Sequence, residues 1–169
     1  DDRAVAALAT LVTAAHGKLR LVADDALKAD YETLAPAPRA VVANLPYNIA
    51  TVLLLGWLGR INEFRSLTLM FQREVAERLV APPGGNAYGR LSVMTQWLAV
   101  PEKKFDLPPE AFTPPPKVTS SVVHLTPRAR ADNISIAAME KVTAAAFGQR
   151  RKMLRQSLKA LGQPAEPLL

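Results

Sequence analysis

The sequence predicts an α/β fold, a parallel sheet with helices on its faces. Three observations predict it. Helical-period and strand-length apolar runs alternate from Arg3 to Val80. Apolar residues make up 49% of the chain, enough for a packed core. The longest apolar stretch, Ile49 to Leu58, falls short of the ~18 residues a membrane span needs and reads as a buried helix.

The elements follow in order. Val5, Leu8, Leu11, Val12 and Ala15 fall at helical spacing, so Arg3 to Ala15 is a helix with one apolar stripe. Gly17 ends it, as a left-handed cap does. Leu19 to Ala23 is a short apolar strand with Asp24-Asp25 at its carboxyl end. A polar turn holding Pro36 and Pro38 leads to the strand Arg39 to Ala43 and then to Asn44-Leu45-Pro46-Tyr47. Ile49 to Ile61 is helix, Ser66 to Phe71 a third strand, and Glu74 to Val80 a short helix stopped by Pro82-Pro83-Gly84-Gly85. Gly89 to Ala99 reads as helix. Pro108-Pro109 and Pro114-Pro115-Pro116 bracket Phe112 in a stiff extended loop. Val118 to Leu125 is a strand completing the sheet as a hairpin partner. Ile134 to Phe147 and Met153 to Leu161 are helices, with Gly148 between them, and a domain boundary falls near 128–133.

Composition excludes several chemistries. The 169 residues include no cysteine, which removes disulfides, thiolate zinc sites and thiol nucleophiles. His16 and His124 lie far apart in sequence, which argues against a metal site. The net charge of +6 falls wholly in residues 63–169, where basic groups outnumber acidic ones fifteen to nine. A basic half beside a neutral half suits a polyanion such as nucleic acid, and also suits plain solubility.

Ligands bind outside the carboxyl ends of strands in such sheets. Asp24-Asp25 and Asn44-Tyr47 are both at such ends, on sequential strands. The Asn44 side chain offers an amide oxygen. Leu45 precedes a proline, which keeps its carbonyl out of a helix, and Pro46 has no competing N–H. The Tyr47 ring can stack on a base, worth about 1–3 kcal/mol. Two acceptors and a ring suit a purine carrying an exocyclic amine; the tetrapeptide also suits a simple turn. Asp25 can accept the amine of a nucleoside or cap the following turn. Phe112 can close the far face of a base or pack in a core. Arg151, Arg155 and Lys159 share a helical face suited to phosphates or to solvent.

These residues sit in segments that together resemble the ribosomal RNA adenine N6,N6-dimethyltransferases. The segments are Val42 to Thr51, Phe71 to Leu79 (Phe-Gln-Arg-Glu-Val-Ala-Glu-Arg-Leu), Ala87 to Val93, Phe112 to Val118 (Phe-Thr-Pro-Pro-Pro-Lys-Val) and Phe147 to Lys152 (Phe-Gly-Gln-Arg-Arg-Lys). They occur in the family's order and cover nearly the whole chain. The resemblance implies a Rossmann-like class I methyltransferase domain over residues 1–130 and a small helical C-terminal domain over 131–169, both partial. It implies S-adenosylmethionine as methyl donor, with Asp25 and Ala26 at its adenine and Asn44 also bordering it. Asn44, Leu45, Pro46 and Tyr47 would hold the target adenine and Phe112 would stack on it. Arg150, Arg151, Lys152 and Arg155 would engage RNA.

The implied reaction is methyl transfer to N6 of two adjacent adenosines near the 3′ end of small-subunit rRNA. A monomer acting in the cytoplasm on the small ribosomal subunit precursor is implied, with no membrane partner. The alternatives are a non-catalytic rRNA-binding assembly factor on the same scaffold, and an adenine methyltransferase acting on large-subunit rRNA or DNA. The family's glycine-rich cofactor loop and first strand are expected before residue 1, and further helices after Leu169. The chain is therefore read as truncated at its N-terminus and inactive by itself.

Overall fold

The computed structural model describes residues 2–130, 132–149 and 152–162. It divides into two compact units, residues 1–35 and 36–169.

In the first unit, α1 (Asp2–Ala14) is the expected helix. The chain turns at Gly17, whose φ of +81° is the left-handed conformation that glycine adopts without strain. The strand expected at Leu19 to Ala23 does not form: the segment carries no ladder. A strand exists through its pairing, and an apolar run alone does not supply a neighbour. Leu19, Leu21 and Val22 are exposed. Arg20 instead ties the segment to α2 (Tyr31–Leu34), its guanidinium donating to the Leu34 carbonyl at 3.2 Å. Asp30 caps α2 by accepting from the Glu32 N–H at 3.0 Å.

Among the described residues, the second unit is built on four strands: β1 (Arg39–Asn44), β2 (Phe64–Gln72), β3 (Ala99–Leu107) and β4 (Ser120–Pro127), in the order β1-β2-β4-β3. Only β1 and β2 are parallel, joined through helix α3 (Tyr47–Leu58). Strand β4 runs antiparallel to both β2 and β3. The sheet is therefore mixed: the parallel part expected from the sequence is β1 with β2, and the hairpin partner expected at Val118 to Leu125 is β4. Parallel neighbours need a crossover, whereas the loop from β3 to β4 holds only a single 3₁₀ turn, Pro109–Ala111.

Strand β2 is central. Phe64, Leu67, Leu69, Met70 and Phe71 are all buried, the near-continuous apolar run of a strand covered on both faces. Strand β3 was not foreseen. It carries Pro101, Glu102, Lys103, Lys104 and Asp106, the charges and proline that protect an edge from further pairing.

Helix α3 begins at Tyr47 rather than Ile49, because the Pro46 carbonyl accepts from both Ile49 N–H and Ala50 N–H at 3.1 Å. It ends at Leu58, before a 3₁₀ turn at Ile61–Glu63. Its Leu53, Leu54, Trp57 and Leu58 are core residues, with Trp57 edge-on to Phe64. Helices α4 (Arg73–Val80) and α5 (Arg90–Leu98) are bound to each other. Gln96 donates to the Leu79 and Ala81 carbonyls at 3.0 and 2.8 Å, satisfying groups that the end of α4 leaves open.

Helix α6 (Ile136–Gly148) is capped by Ser135 and packs on α5. Tyr88 meets Phe147 edge-on, and the Arg130 guanidinium lies 3.7 Å over the Trp97 ring. The last predicted helix is shorter than expected: α7 (Leu154–Leu158), then a 3₁₀ turn at Lys159–Leu161.

Candidate active site

Local sequence shapes one end of the sheet. Strand β1 stops at Asn44 because Pro46 lacks the N–H that a ladder would use and disfavours helix at Leu45. Pro46, with φ −56° and ψ 130°, turns the chain so that α3 starts immediately. Parallel pairing places Asn44 beside Met70 of β2, and antiparallel pairing places Ser120 of β4 beside Gln72. The carboxyl ends of β1 and β2 and the amino end of β4 thus meet. The proline loop before β4 returns Phe112 to the same end.

There a cleft of about 340 Å³ opens. Asn44, Leu45, Pro46 and Tyr47 line it from the strand-to-helix turn, and Phe112, Pro114 and Pro116 from the loop. Met70, 7% exposed, completes it. The volume lies at the small end of ligand pockets, which run from about 300 to 1,000 Å³. The structure thus gathers five of the sequence-predicted site residues at one opening, four from 44–47 and one sixty-five positions later. Met70, Pro114 and Pro116 were not foreseen as lining. A signal for Met70 lay in its place near the carboxyl end of the adjacent apolar run.

Acceptors face no competition in the cleft. Among the described residues, neither the Asn44 carboxamide nor the Leu45 carbonyl has a hydrogen-bond partner. The Pro46 carbonyl, by contrast, is taken up by α3. The Tyr47 ring is anchored at its far end, its hydroxyl sharing a 2.6 Å hydrogen bond with the fully buried Ser120 hydroxyl. Apart from Tyr47, the lining has no ionisable side chain. Asp106 on β3 lies outside it; the Ser121 hydroxyl and Lys103 hold its carboxyl below the ordinary range. Such a cleft accommodates a neutral flat ring carrying N–H donors.

Asp25 and Ala26 belong to the first unit. The Asp25 carboxylate caps the next turn, accepting from Leu27 N–H at 3.0 Å, the second of the two roles its sequence left open. Its other oxygen lies 3.8 Å from Lys28 Nζ. The Ala26 N–H has no acceptor among the described residues. An unused N–H next to a carboxylate is a donor–acceptor pair that fits the amino edge of an adenine. Arg150 and Arg151 lie outside the described residues. Lys152 is exposed, as is Arg155 in α7. The broken helix does not carry the expected run of even spacing through Lys159.

The family model described as ribosomal RNA adenine dimethylase matches residues 1–168. The chain belongs to that family. Among adenine dimethylase relatives, the ribosomal RNA small subunit methyltransferase A of Xanthobacter autotrophicus is 56% identical over 173 residues, covering all of this chain and 60% of that protein. The protein of the same name from Paramagnetospirillum magneticum is 55% identical over 170 residues, with the same coverage. The chain thus spans about 60% of the length of these curated relatives. A dimethyladenosine transferase structure from Plasmodium falciparum superposes with a TM-score of 0.83 at 27% identity, covering 94% of this chain and 57% of that one. The 23S rRNA methyltransferase ErmE gives 0.70 at 27% identity, covering 94% and 63%. These likenesses agree with the Rossmann-like methyltransferase class that the motifs implied.

Proposed function

We propose that the protein to which these residues belong transfers methyl groups from S-adenosylmethionine to adenine N6 in small-subunit rRNA, at two adjacent adenosines near the 3′ end. The observation that carries the proposal is the shared cleft, lined by two unengaged acceptors and two aromatic side chains. Family membership and the names of its relatives support the substrate class. In this reading residues 1–130 act as the catalytic part and 131–169 as a helical domain engaging RNA, with the small ribosomal subunit precursor in the cytoplasm as partner and a monomer as the working unit.

The chemistry follows from what adenine needs. Its N6 lone pair is delocalised into the ring, which makes the amine a poor nucleophile. The Asn44 oxygen and the Leu45 carbonyl each take one amine hydrogen, favouring a pyramidal nitrogen whose lone pair is directed out of the ring. As the new N–C bond forms, positive charge builds on N6, and fixed acceptor dipoles stabilise it. Tyr47 and Phe112 hold the base by stacking, so that the reaction gains from proximity. No strong base is needed before attack, because the N–H becomes acidic only once the bond has formed and the proton then passes to water. A base in this cleft has left its helical stack, or was unpaired beforehand.

Bound S-adenosylmethionine supplies an electrophilic methyl group. Asp25 and the Ala26 N–H would hold its adenine, carboxylate to amine and N–H to ring nitrogen.

Asn44→Ala in the full-length protein tests the reading. Methyl transfer to small-subunit particles is expected to fall at least a hundredfold, within the ~10²–10³ range for losing one preorganised polar group. Particle binding is expected to persist. An Asn44→Ala protein that transfers methyl groups at the normal rate refutes the mechanism. A role in particle maturation that survives the substitution unchanged points to a non-catalytic assembly factor.

A further inference from the structure

A second hollow, of about 510 Å³, opens beside the first. Gln72, Arg73, Glu74 and Glu77 line it from the end of β2 and the start of α4, and Lys117 and Thr119 from the same proline loop. The two openings share their walls. Met70 lines the cleft and Gln72, two residues along the strand, lines the hollow; Pro116 lines the cleft and Lys117, the next residue, lines the hollow. Two residues of strand span about 7 Å, so the openings are close neighbours along one strand end.

The polar groups of the hollow are unevenly committed. Arg73 pairs with Glu77 at 3.5 Å, and Glu74 pairs with Arg78. Lys117 is exposed and has no carboxylate partner among the described residues. Gln72 is half-buried at the head of α4, and its carboxamide neither caps that helix nor bonds elsewhere among the described residues. One unpaired cation and one unused carboxamide thus flank a hollow adjoining a neutral aromatic cleft.

We infer that this hollow receives the nucleotide next to the target adenosine in the same RNA strand, with Lys117 on the linking phosphate and the Gln72 carboxamide on the neighbouring base edge. The inference rests on the reading of the first cleft as the target-base site. A strand with one base in the cleft and the next in the hollow that crosses at the Pro116–Lys117 step has its phosphodiester at the unpaired ammonium group. A carboxamide both donates and accepts, so it can discriminate among base edges, whereas the lysine contact is blind to sequence.

The test uses the full-length protein with S-adenosylmethionine and small-subunit particles carrying each of the four bases beside the target. Lys117→Ala is expected to raise KM about tenfold, the effect of losing one charge-assisted contact, with kcat within twofold. It should also shallow the slope of log affinity against log salt by about 0.7, the value for one single-strand phosphate. Lys117→Arg should restore the slope. Gln72→Ala should flatten the preference for the neighbouring base without changing the melting temperature. Normal wild-type methylation with unchanged KM and salt slope in Lys117→Ala overturns the assignment of Lys117. Unchanged base preference in Gln72→Ala overturns that of Gln72. A wild-type protein that methylates no particle overturns the underlying target-site reading instead.

Discussion

Replacing Tyr47 by Phe removes one oxygen and leaves the ring. That oxygen shares its hydrogen bond with Ser120 at 2.6 Å, across 73 positions of sequence. The two ends differ in their access to water. The Ser120 side chain is wholly buried, and its hydroxyl has no other partner among the described residues. The Tyr47 side chain is half-buried and borders the cleft. Tyr47→Phe therefore strands a buried hydroxyl and costs about 1–3 kcal/mol. Ser120→Ala leaves a tyrosine hydroxyl that can turn toward water, at about 0.5–1.5 kcal/mol. The double variant leaves nothing stranded and should cost less than the two single changes together, a coupling of about 1 kcal/mol. Urea unfolding of the full-length protein and its three variants measures all of these. The same bond anchors the ring proposed to stack on the base, so Tyr47→Phe should also lower kcat/KM for methyl transfer. A Tyr47→Phe protein as stable as the parent, or less affected than Ser120→Ala, would show that burial at Ser120 does not set the cost.

Other consequences are independent of that bond. Leu69→Ala, at a fully buried position in the middle of β2, should cost about 2–5 kcal/mol in urea unfolding, and a cost under 1 kcal/mol would contradict the central place of that strand. The Arg130 guanidinium is the main cause holding the Asp132 carboxyl at about 2, helped by the Ile134 N–H and the Trp97 N–H. Because the folded value lies below the ordinary one, the stabilisation from Asp132 is present above about 3.8 and is lost as pH falls through about 2. Carbon-detected titration should find that midpoint, and Arg130→Ala should move it upward; a midpoint near 3.8 in the parent would remove the pair from the account.

Much of the fold was legible because short-range rules wrote it. Helical spacing marked α1, a both-sides-apolar run marked β2, and the asparagine and proline of Asn44-Leu45-Pro46 marked the exit from β1. The cleft was legible in the same way. Asn44 to Tyr47 carry their chemistry within four residues, and the prolines around Phe112 advertise a stiff loop. What escaped depends on partners distant in sequence. Strand β3 hides its nature behind Glu102, Lys103, Lys104 and Asp106, since an edge strand selects residues that look like a loop. Leu19 to Ala23 has the composition of a strand and forms no ladder.

By itself, then, the sequence determined where the chain turns, which stretches are apolar, and that an amide, a carbonyl and a ring stand together within Asn44-Leu45-Pro46-Tyr47. Only the tertiary structure decided that β4 lies between β2 and β3, that Ser120 anchors Tyr47, that Met70 and Phe112 share one cleft, and that Lys117 faces a hollow with Gln72. The physical reason is range. Turns and periodicity are set by neighbours within a few residues, while strand order and site assembly are set by packing between segments up to 73 positions apart.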